Sequence, residues 1–98
     1  MTTQEQKKGD FKAVGDPIDE IFIIEHGIAE LYIPINGRDI VLERLFRGSV
    51  INYKNVFHNT EKDSTDKVTY QVNLRFATES IIKILHIDDI IELRERKN

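Results

Sequence analysis

The sequence predicts a mainly β fold: an antiparallel β-roll or jelly roll with a short helix in its middle and a second helix at its C-terminal end. About seven short apolar stretches follow one another at regular spacing, which is typical of β-sandwiches and rolls. The dipeptide Asn36-Gly37 is the strongest short signal for a β-hairpin. Helical spacing of apolar residues is clear only near the C-terminus. These observations favour a roll over an α/β domain.

The N-terminal part divides into an arm and the start of the domain. Residues 1–10 carry no periodic pattern and are predicted to form a flexible arm ahead of a domain at 11–98. The Gly-Asp-Pro turn signal at 15–17 closes a short extended piece. The β-branched and aromatic run 21–26 then predicts a strand that ends at Gly27.

A hairpin follows this strand. Apolar residues recur with a period of two over 28–35, which predicts a strand. Asn36-Gly37 predicts its turn, and the apolar stretch 38–46 is the return strand. Gly48 stops the return strand and opens a segment that leads into the short middle helix.

The C-terminal part begins with the polar stretch 58–67, which is predicted to be an exposed, mobile loop. The alternation in 68–77 predicts the clearest strand of the chain, and 79–87 predicts another. Asp88 is expected to cap the N-terminus of the final helix.

Composition and charge restrict the function classes. A chain of 98 residues makes one domain, and 40% hydrophobic with 32% charged residues is an ordinary globular mixture. A net charge of −3 creates no field that would gather nucleic acid or anionic lipid. No apolar run reaches the roughly 20 residues that span a bilayer. We therefore expect no nucleic-acid partner, no membrane insertion, and a cytoplasmic location, either free or as the cytosolic part of a membrane protein.

No catalytic or metal-binding pattern is recognisable in the sequence. The absence of cysteine excludes thiolate metal sites and cysteine nucleophiles. His26, His58 and His86 are far apart in sequence and form no His-x-His pair of the kind that a metal site on strands would need. The serines lack the context of a nucleophile elbow. We therefore expect neither an enzyme, nor a metal site, nor a cofactor.

Several segments, in this order and at this spacing, resemble a cyclic nucleotide-binding domain. The segments are 15–16, 21–27, 45–48, 77–78 and 81–89. Members of that family have a Gly-Asp or Gly-Glu turn, an apolar strand that ends at glycine, a Leu-x-x-Gly step into a phosphate-binding cassette, and a strand pair that leads to a C-terminal helix. The resemblance covers residues 11–94. The wording of 47–53, Arg-Gly-Ser-Val-Ile-Asn-Tyr, is also similar to such domains in protist cation channels.

The resemblance implies a ligand site with altered chemistry. In the family, backbone N–H groups and an arginine bind the cyclic phosphate, and a glutamate binds the ribose 2′-OH. Gly48 matches the first glycine of the cassette, and Asn52 matches the second, a position that Asn tolerates because it accepts left-handed backbone. Tyr53 falls where the glutamate belongs and Tyr70 where the arginine belongs. Both charged contacts to the ligand are therefore missing.

A ligand such as cyclic AMP or cyclic GMP would contact this segment and the tyrosine across from it. The candidate ligand-binding residues are Gly48, Ser49, Val50, Ile51, Asn52, Tyr53, Lys54 and Tyr70. Alternatively, the segment is only a corner that seats a one-turn helix, and Tyr53 and Tyr70 pack or fill the pocket instead of stacking on a purine. Lys54 or Arg75 could replace a missing cation, although alternation puts Arg75 on the opposite face of its strand.

These observations predict a non-catalytic regulatory domain with weak or lost nucleotide binding. We expect it to be part of a larger signalling or channel protein, whose other domains are its partners. One alternative is a functional sensor of cyclic AMP or cyclic GMP with a rearranged cassette. Another is a structural module for protein interaction that uses an exposed sheet or the final helix.

Overall fold

The structure, a computed structural model, describes residues 1–60 and 66–96. Its elements in chain order are β1 (Thr2–Gln6), β2 (Gly9–Lys12), β3 (Glu20–His26), β4 (Ala29–Ile35), β5 (Arg38–Leu45), β6 (Val50–Ile51), α1 (Tyr53–Asn59), β7 (Asn73–Phe76), β8 (Ser80–His86) and α2 (Ile87–Arg96). The predicted fold class, a mainly antiparallel β-roll with a short middle helix and a C-terminal helix, is confirmed.

The strands form two four-stranded sheets with the orders β1-β8-β3-β6 and β2-β7-β4-β5. All strand pairs within the two sheets are antiparallel. The chain changes sheet at almost every connection, and only the β4–β5 hairpin keeps two consecutive strands in one sheet. The two sheets are therefore wound around a shared interior, as in a roll.

The core lies between the sheets and is built from the inward face of each strand. Phe22 and Ile24 of β3, Leu74 of β7 and Ile82 of β8 are at most 1% exposed. Phe11 of β2 packs edge-on against Phe22, with 5.2 Å between the ring centroids. The period-two patterns of the sequence are the consequence of this arrangement, because alternate residues of a strand face opposite sides of its sheet.

The hairpin turn adopts the backbone that its residues favour. Asn36 has φ of 51° and Gly37 has φ of 77°, so both central residues of the two-residue loop are left-handed. This is the backbone of a type I′ turn, which matches the twist of the flanking strands. Ile35 and Arg38 face each other across the turn, and the predicted hairpin is confirmed.

The prediction of an arm without regular structure at 1–10 is wrong. β1 pairs with β8 along its whole length, and residues 9–10 begin β2, which pairs with β7. The side chains of β1 are almost all exposed, so this edge strand is held by its backbone hydrogen bonds and carries no apolar alternation. A pattern search could not find a strand that buries no apolar face.

The strand predicted over 68–77 is shorter in the structure and covers only Asn73–Phe76. Upstream of it, the backbone N–H of Tyr70 donates to the carbonyl of Asp16 at 3.0 Å, and the N–H of Gly15 donates to the carbonyl of Tyr70 at 2.8 Å. Residues 71–72 form a bend. The alternation is real, but the first half of the segment pairs with the turn at 15–16 instead of continuing the sheet.

The final helix begins earlier than predicted, at Ile87, so Asp88 lies inside its first turn and cannot be its cap. Nδ1 of His86 instead accepts the backbone N–H of Asp88 at 3.1 Å. Asp88 and Asp89 still favour this helix, because acidic side chains in the first turn interact well with the helix dipole. Neither helix in the described part of the chain is long and apolar enough to cross a membrane.

Half of the predicted exposed loop at 58–67, residues 61–65, lies outside the described residues. Residues 58 and 59 belong to α1, so the helix extends into the polar stretch. Asn59 explains this extension: its side chain is buried and donates to the carbonyls of Ile18 at 3.0 Å and Val68 at 2.9 Å.

Candidate functional site

The segment that opens at Gly48 is tied to β3 by its backbone. The N–H of Gly48 donates to the carbonyl of Ile24 at 2.8 Å, and the N–H of Ile24 donates to the carbonyl of Ser49 at 3.0 Å. The N–H of Ser49 donates to the carbonyl of Phe46 at 2.9 Å. Gly48 has φ of 90°, a backbone conformation that glycine adopts without strain and that a residue with a side chain would adopt only with strain. The N–H groups of Gly48 and Ser49 are therefore used inside the fold.

Asn52 joins this corner to the opposite side of the site. Its φ of 75° is left-handed, as the sequence predicted for an asparagine in the place of a glycine. Its Nδ2 donates to the hydroxyl of Tyr70 at 2.6 Å and, more weakly, to the carbonyl of Glu20 at 3.3 Å. Its own carbonyl accepts the N–H of Val56 at 2.9 Å. One residue thus starts α1 and fixes the position of Tyr70.

The side chain of Tyr70 is buried, and its hydroxyl group is neutral. The residue is only 4% exposed. Burial raises the pKa of its hydroxyl from 10.0 to about 12, while the hydrogen bond from Asn52 acts in the opposite direction. Nearby carboxylates raise this pKa further; they are those of Glu20, Asp19 and Asp16. The hydroxyl therefore lies in a negative electrostatic environment.

A cavity of about 390 Å³ lies between this segment and the β4–β5 hairpin. Its wall includes 50–52 and Asn55 on one side, Leu31, Glu43 and Leu45 on the other, and 68–72 at one end. Small-molecule sites in proteins typically enclose about 300–1,000 Å³, so the volume is sufficient for a compact ligand. The side chain of Tyr70 therefore does not fill this cavity completely.

The charges around the cavity are unusual for a phosphate site. Among the described residues that line it, none is basic and Glu43 is the only acidic one. Lys54 does not line the cavity, and its Nζ lies 6.0 Å from the ring centre of Tyr53. Arg75 lies on the outer face of the β2-β7-β4-β5 sheet, where it binds Glu30. Neither cation therefore replaces the arginine that the resemblance finds missing.

The structure brings together only part of the predicted site. The candidates that line the cavity are Val50, Ile51, Asn52 and Tyr70, and those that do not are Gly48, Ser49, Tyr53 and Lys54. The lining residues that were not among the candidates are Ile18, Leu31, Glu43, Leu45, Asn55, Val68, Thr69, Gln71 and Val72. The hairpin residues Leu31, Glu43 and Leu45 share one face by alternation, which is a signal in the sequence. Their distance from the cassette in sequence hid that signal. Ligand binding by any of these residues stays a prediction.

The outer face of the same sheet holds an ion-pair network centred on Glu30, which is only 6% exposed. Its carboxylate accepts from Nε of Arg75 at 3.0 Å and from Nε of Arg44 at 3.0 Å. Arg75 also binds Asp39 at 2.8 Å and stacks over the ring of Tyr32 at 4.3 Å. The hydrogen bond from Arg75 lowers the pKa of Glu30, and that from Arg44 acts in the same direction, against the effect of burial.

Comparison with known proteins gives similarity in fold only. No protein-family model matches the sequence, and a search of curated protein sequences finds no significant match. Among solved structures, the N-terminal domain of a transcriptional regulator from Streptomyces coelicolor A3(2) superposes with a TM-score of 0.80. The two are 17% identical over 99% of this chain and 65% of the other.

A second solved structure is the regulatory domain of Toxoplasma gondii PKA with cAMP. It superposes with a TM-score of 0.69 at 14% identity, over 90% of this chain and 32% of the other. This chain has the fold of a cyclic nucleotide-binding domain. The resemblance predicted from the sequence is therefore confirmed at the level of the fold.

A third structure carries the cyclic nucleotide-binding domain fold within a much longer chain. The cGMP-bound form of the EAL enzyme Bd1971 superposes with a TM-score of 0.73 at 17% identity. The match covers 99% of this chain and 24% of the enzyme, so this chain spans about a quarter of that protein. At such identities the similarity concerns the fold and assigns no residue roles here.

Proposed function

We propose that this chain is a non-catalytic regulatory domain of the cyclic nucleotide-binding domain fold in which affinity for cyclic AMP and cyclic GMP is weak or lost. One observation carries this proposal. The cavity beside the cassette has a carboxylate on its wall, that of Glu43, and no basic residue among the described residues that line it. A cyclic nucleotide brings a phosphate anion, which would find no counter-charge there.

The energetics support a large loss of affinity. A hydrogen bond to a charged group contributes about 1.5–3 kcal/mol, so the loss of two such contacts weakens binding by about two to four decades. The polar groups near the missing contacts are neutral: the amide of Asn52 donates to the hydroxyl of Tyr70 at 2.6 Å, and that hydroxyl keeps its own proton as a donor for a ligand. A neutral hydrogen bond is about half as strong as a charge-assisted one, so it does not replace the contacts that are missing.

The wider role is part of the same proposal. In the neighbours, this fold occupies 65% of the regulator chain and 24% of the EAL enzyme chain, which supports a domain that acts on other domains. The similarity of residues 47–53 to domains of cation channels supports a channel or another signalling protein as the parent. We place such a domain in the cytoplasm, where it would act through its contacts to the parent protein.

An NMR titration of backbone amides with cyclic AMP and cyclic GMP tests the proposal. We expect no saturation at concentrations up to about 1 mM, because an affinity of a few micromolar falls to about this value when two charged contacts are lost. The variant Tyr70→Arg restores the positive charge that the family uses at a position that lines the cavity, and it should bind at least about tenfold more tightly. Tyr70→Gln is the matched control without charge. Micromolar binding by the natural chain would instead identify a sensor with a rearranged cassette.

A protein-interaction module is a second candidate, and three consecutive exposed apolar side chains of the edge strand β5 favour it. Ile40 is 41% exposed, Val41 36% and Leu42 53%. Large apolar side chains that are neighbours on a surface often mark contacts to another protein. Flat spectra for both the natural chain and Tyr70→Arg would favour this module.

A further inference from the structure

We propose that the cavity beside the cassette binds a small organic cation with an apolar body, such as a protonated arylalkyl amine. The inference rests on the proposed function in one respect, the weak affinity for cyclic nucleotides. It adds the chemical class of ligand that this cavity would take.

The shape and the walls of the cavity suit an apolar body. Its volume of about 390 Å³ is within the range of small-molecule sites. Leu31, Leu45, Ile51 and Val72 supply apolar wall from both sheets and from the bend before β7. A flat aromatic group would bury a large apolar area between these side chains.

The charge of the wall favours a cation. The carboxylate of Glu43 lines the cavity and forms no ion pair with any residue that the structure describes. Its neighbour Arg44 cannot neutralise it, because Arg44 points to the other face of the sheet and binds Glu30 at 3.0 Å. An ammonium group on a bound ligand would therefore find, at the wall of the cavity, a carboxylate that no described residue neutralises.

The far end of the cavity carries the same sign of charge. The carboxylates of Asp16, Asp19 and Glu20 act on the hydroxyl of Tyr70, which lines that end. Lys12 lies 3.7 Å from Glu20 and offsets part of one of these charges. The carboxylates near Tyr70 and that of Glu43 thus favour a cation over an anion at this cavity.

Three indole compounds with the same apolar body test this inference: tryptamine is a cation at neutral pH, tryptophol is neutral, and indole-3-propionate is an anion. In an NMR amide titration we expect saturable shifts with tryptamine at 50–52 and 70–72 and at Glu43. Tryptamine should bind about tenfold more tightly than indole-3-propionate, with tryptophol between them, because an exposed carboxylate contributes up to about a factor of five for each sign of charge.

Glu43→Gln keeps the shape of the side chain and removes its charge. This variant should lose most of the preference for tryptamine over tryptophol and leave the affinity for tryptophol unchanged. Glu79→Gln is the matched control, since it removes one exposed carboxylate that does not line this cavity. The preference should persist in that control.

Three results would overturn the inference: equal affinity for the cation and the anion, saturation at residues outside the cavity, or no saturation with any of the three compounds. These results are distinguishable from failure of the proposed function, which is tested with cyclic nucleotides. Absence of tryptamine binding together with weak nucleotide binding overturns this inference alone. Micromolar nucleotide binding overturns the proposed function.

Discussion

The two faces of the β2-β7-β4-β5 sheet differ in how their charged side chains are paired. On the outer face, Arg44 and Arg75 bind the buried carboxylate of Glu30 from both sides. On the inner face, the cavity has the single carboxylate of Glu43 and no described basic residue on its wall. The arginines are thus close to the cavity in sequence but lie across the sheet from it, because successive residues of a strand face opposite sides.

This difference shows why the arginines are not free for a ligand. Glu30 lies between Arg44 and Arg75 in the register of three adjacent strands, so each arginine is fixed by backbone pairing. A buried carboxylate without a partner would cost several kcal/mol. If either arginine bound a ligand at the cavity instead, the carboxylate of Glu30 would lose that partner and the outer face of the sheet would be destabilised. Stability of the sheet and phosphate recognition therefore compete for the same side chains.

The most direct way to break this comparison is Glu30→Gln. We expect the free energy of unfolding to fall by about 2–3 kcal/mol, because two charge-assisted bonds weaken and two arginines lose their shared counter-ion. Urea denaturation at neutral pH measures the change. Glu43→Gln is the matched control on the inner face, and its effect should stay within about 0.5 kcal/mol because the side chain is exposed and forms no ion pair with the described residues. Equal losses in the two variants would contradict the contrast between the faces.

The natural chain and Glu30→Gln should also differ in how their stability changes at acidic pH. The bonds from Arg75 and Arg44 lower the pKa of Glu30 below its ordinary value of 4.5. The contribution of this carboxylate is therefore fully present above pH 4.5 and is lost as the pH falls through the lowered pKa of the folded state. The stability difference between the natural chain and Glu30→Gln should shrink when urea denaturation is repeated at about pH 3. A difference that does not change with pH would exclude the carboxylate as its source.

The next prediction concerns the opposite wall of the cavity, where the backbone of Asn52 shapes the corner. Asn52→Ala and Asn52→Gly both remove the hydrogen bond to Tyr70, but only glycine accepts φ of 75° without strain. Asn52→Ala should therefore be less stable than Asn52→Gly by about 1–2 kcal/mol, as measured by thermal or urea unfolding. Equal stability would mean that the left-handed backbone at this position is not required.

Much of the fold follows from local features of the sequence. The hairpin is predictable because Asn36-Gly37 takes left-handed backbone at low cost and the flanking strands alternate. β1 is not predictable in the same way, since an edge strand of exposed polar residues is held by backbone pairing with β8. The late start of β7 is not predictable from the alternation either, because the backbone of Tyr70 forms hydrogen bonds with the turn at 15–16 instead of continuing the strand.

The site is less predictable because its walls come from distant parts of the chain. The resemblance located Asn52 and Tyr70, but it said nothing of Glu43, which reaches the cavity only through the pairing of β5 with β4. Alternation correctly placed Arg75 on the outer face, whereas its partner Glu30 required the register of β4 against β7. Charge at a site depends on such long-range pairing, so motif matching alone does not determine it.

The last and smallest expected effect is that of Tyr70→Phe, which removes the hydroxyl beside the cavity. At neutral pH we expect a loss of about 1 kcal/mol or less, because Nδ2 of Asn52 loses its acceptor at 2.6 Å but keeps the carbonyl of Glu20 at 3.3 Å. Tyr53→Phe removes the hydroxyl of a tyrosine that is 47% exposed and is the matched control.

The alkaline range gives Tyr70→Phe a signature that a packing change would not produce. Burial raises the pKa of Tyr70 from 10.0 to about 12, so above pH 10 the unfolded chain loses this proton while the folded chain keeps it. The stability of the natural chain should therefore fall between pH 10 and 12 more steeply than that of Tyr70→Phe, as measured by urea denaturation. Parallel slopes would show that the hydroxyl is solvated. They would also show that the end of the cavity at Tyr70 is wetter than its packing indicates.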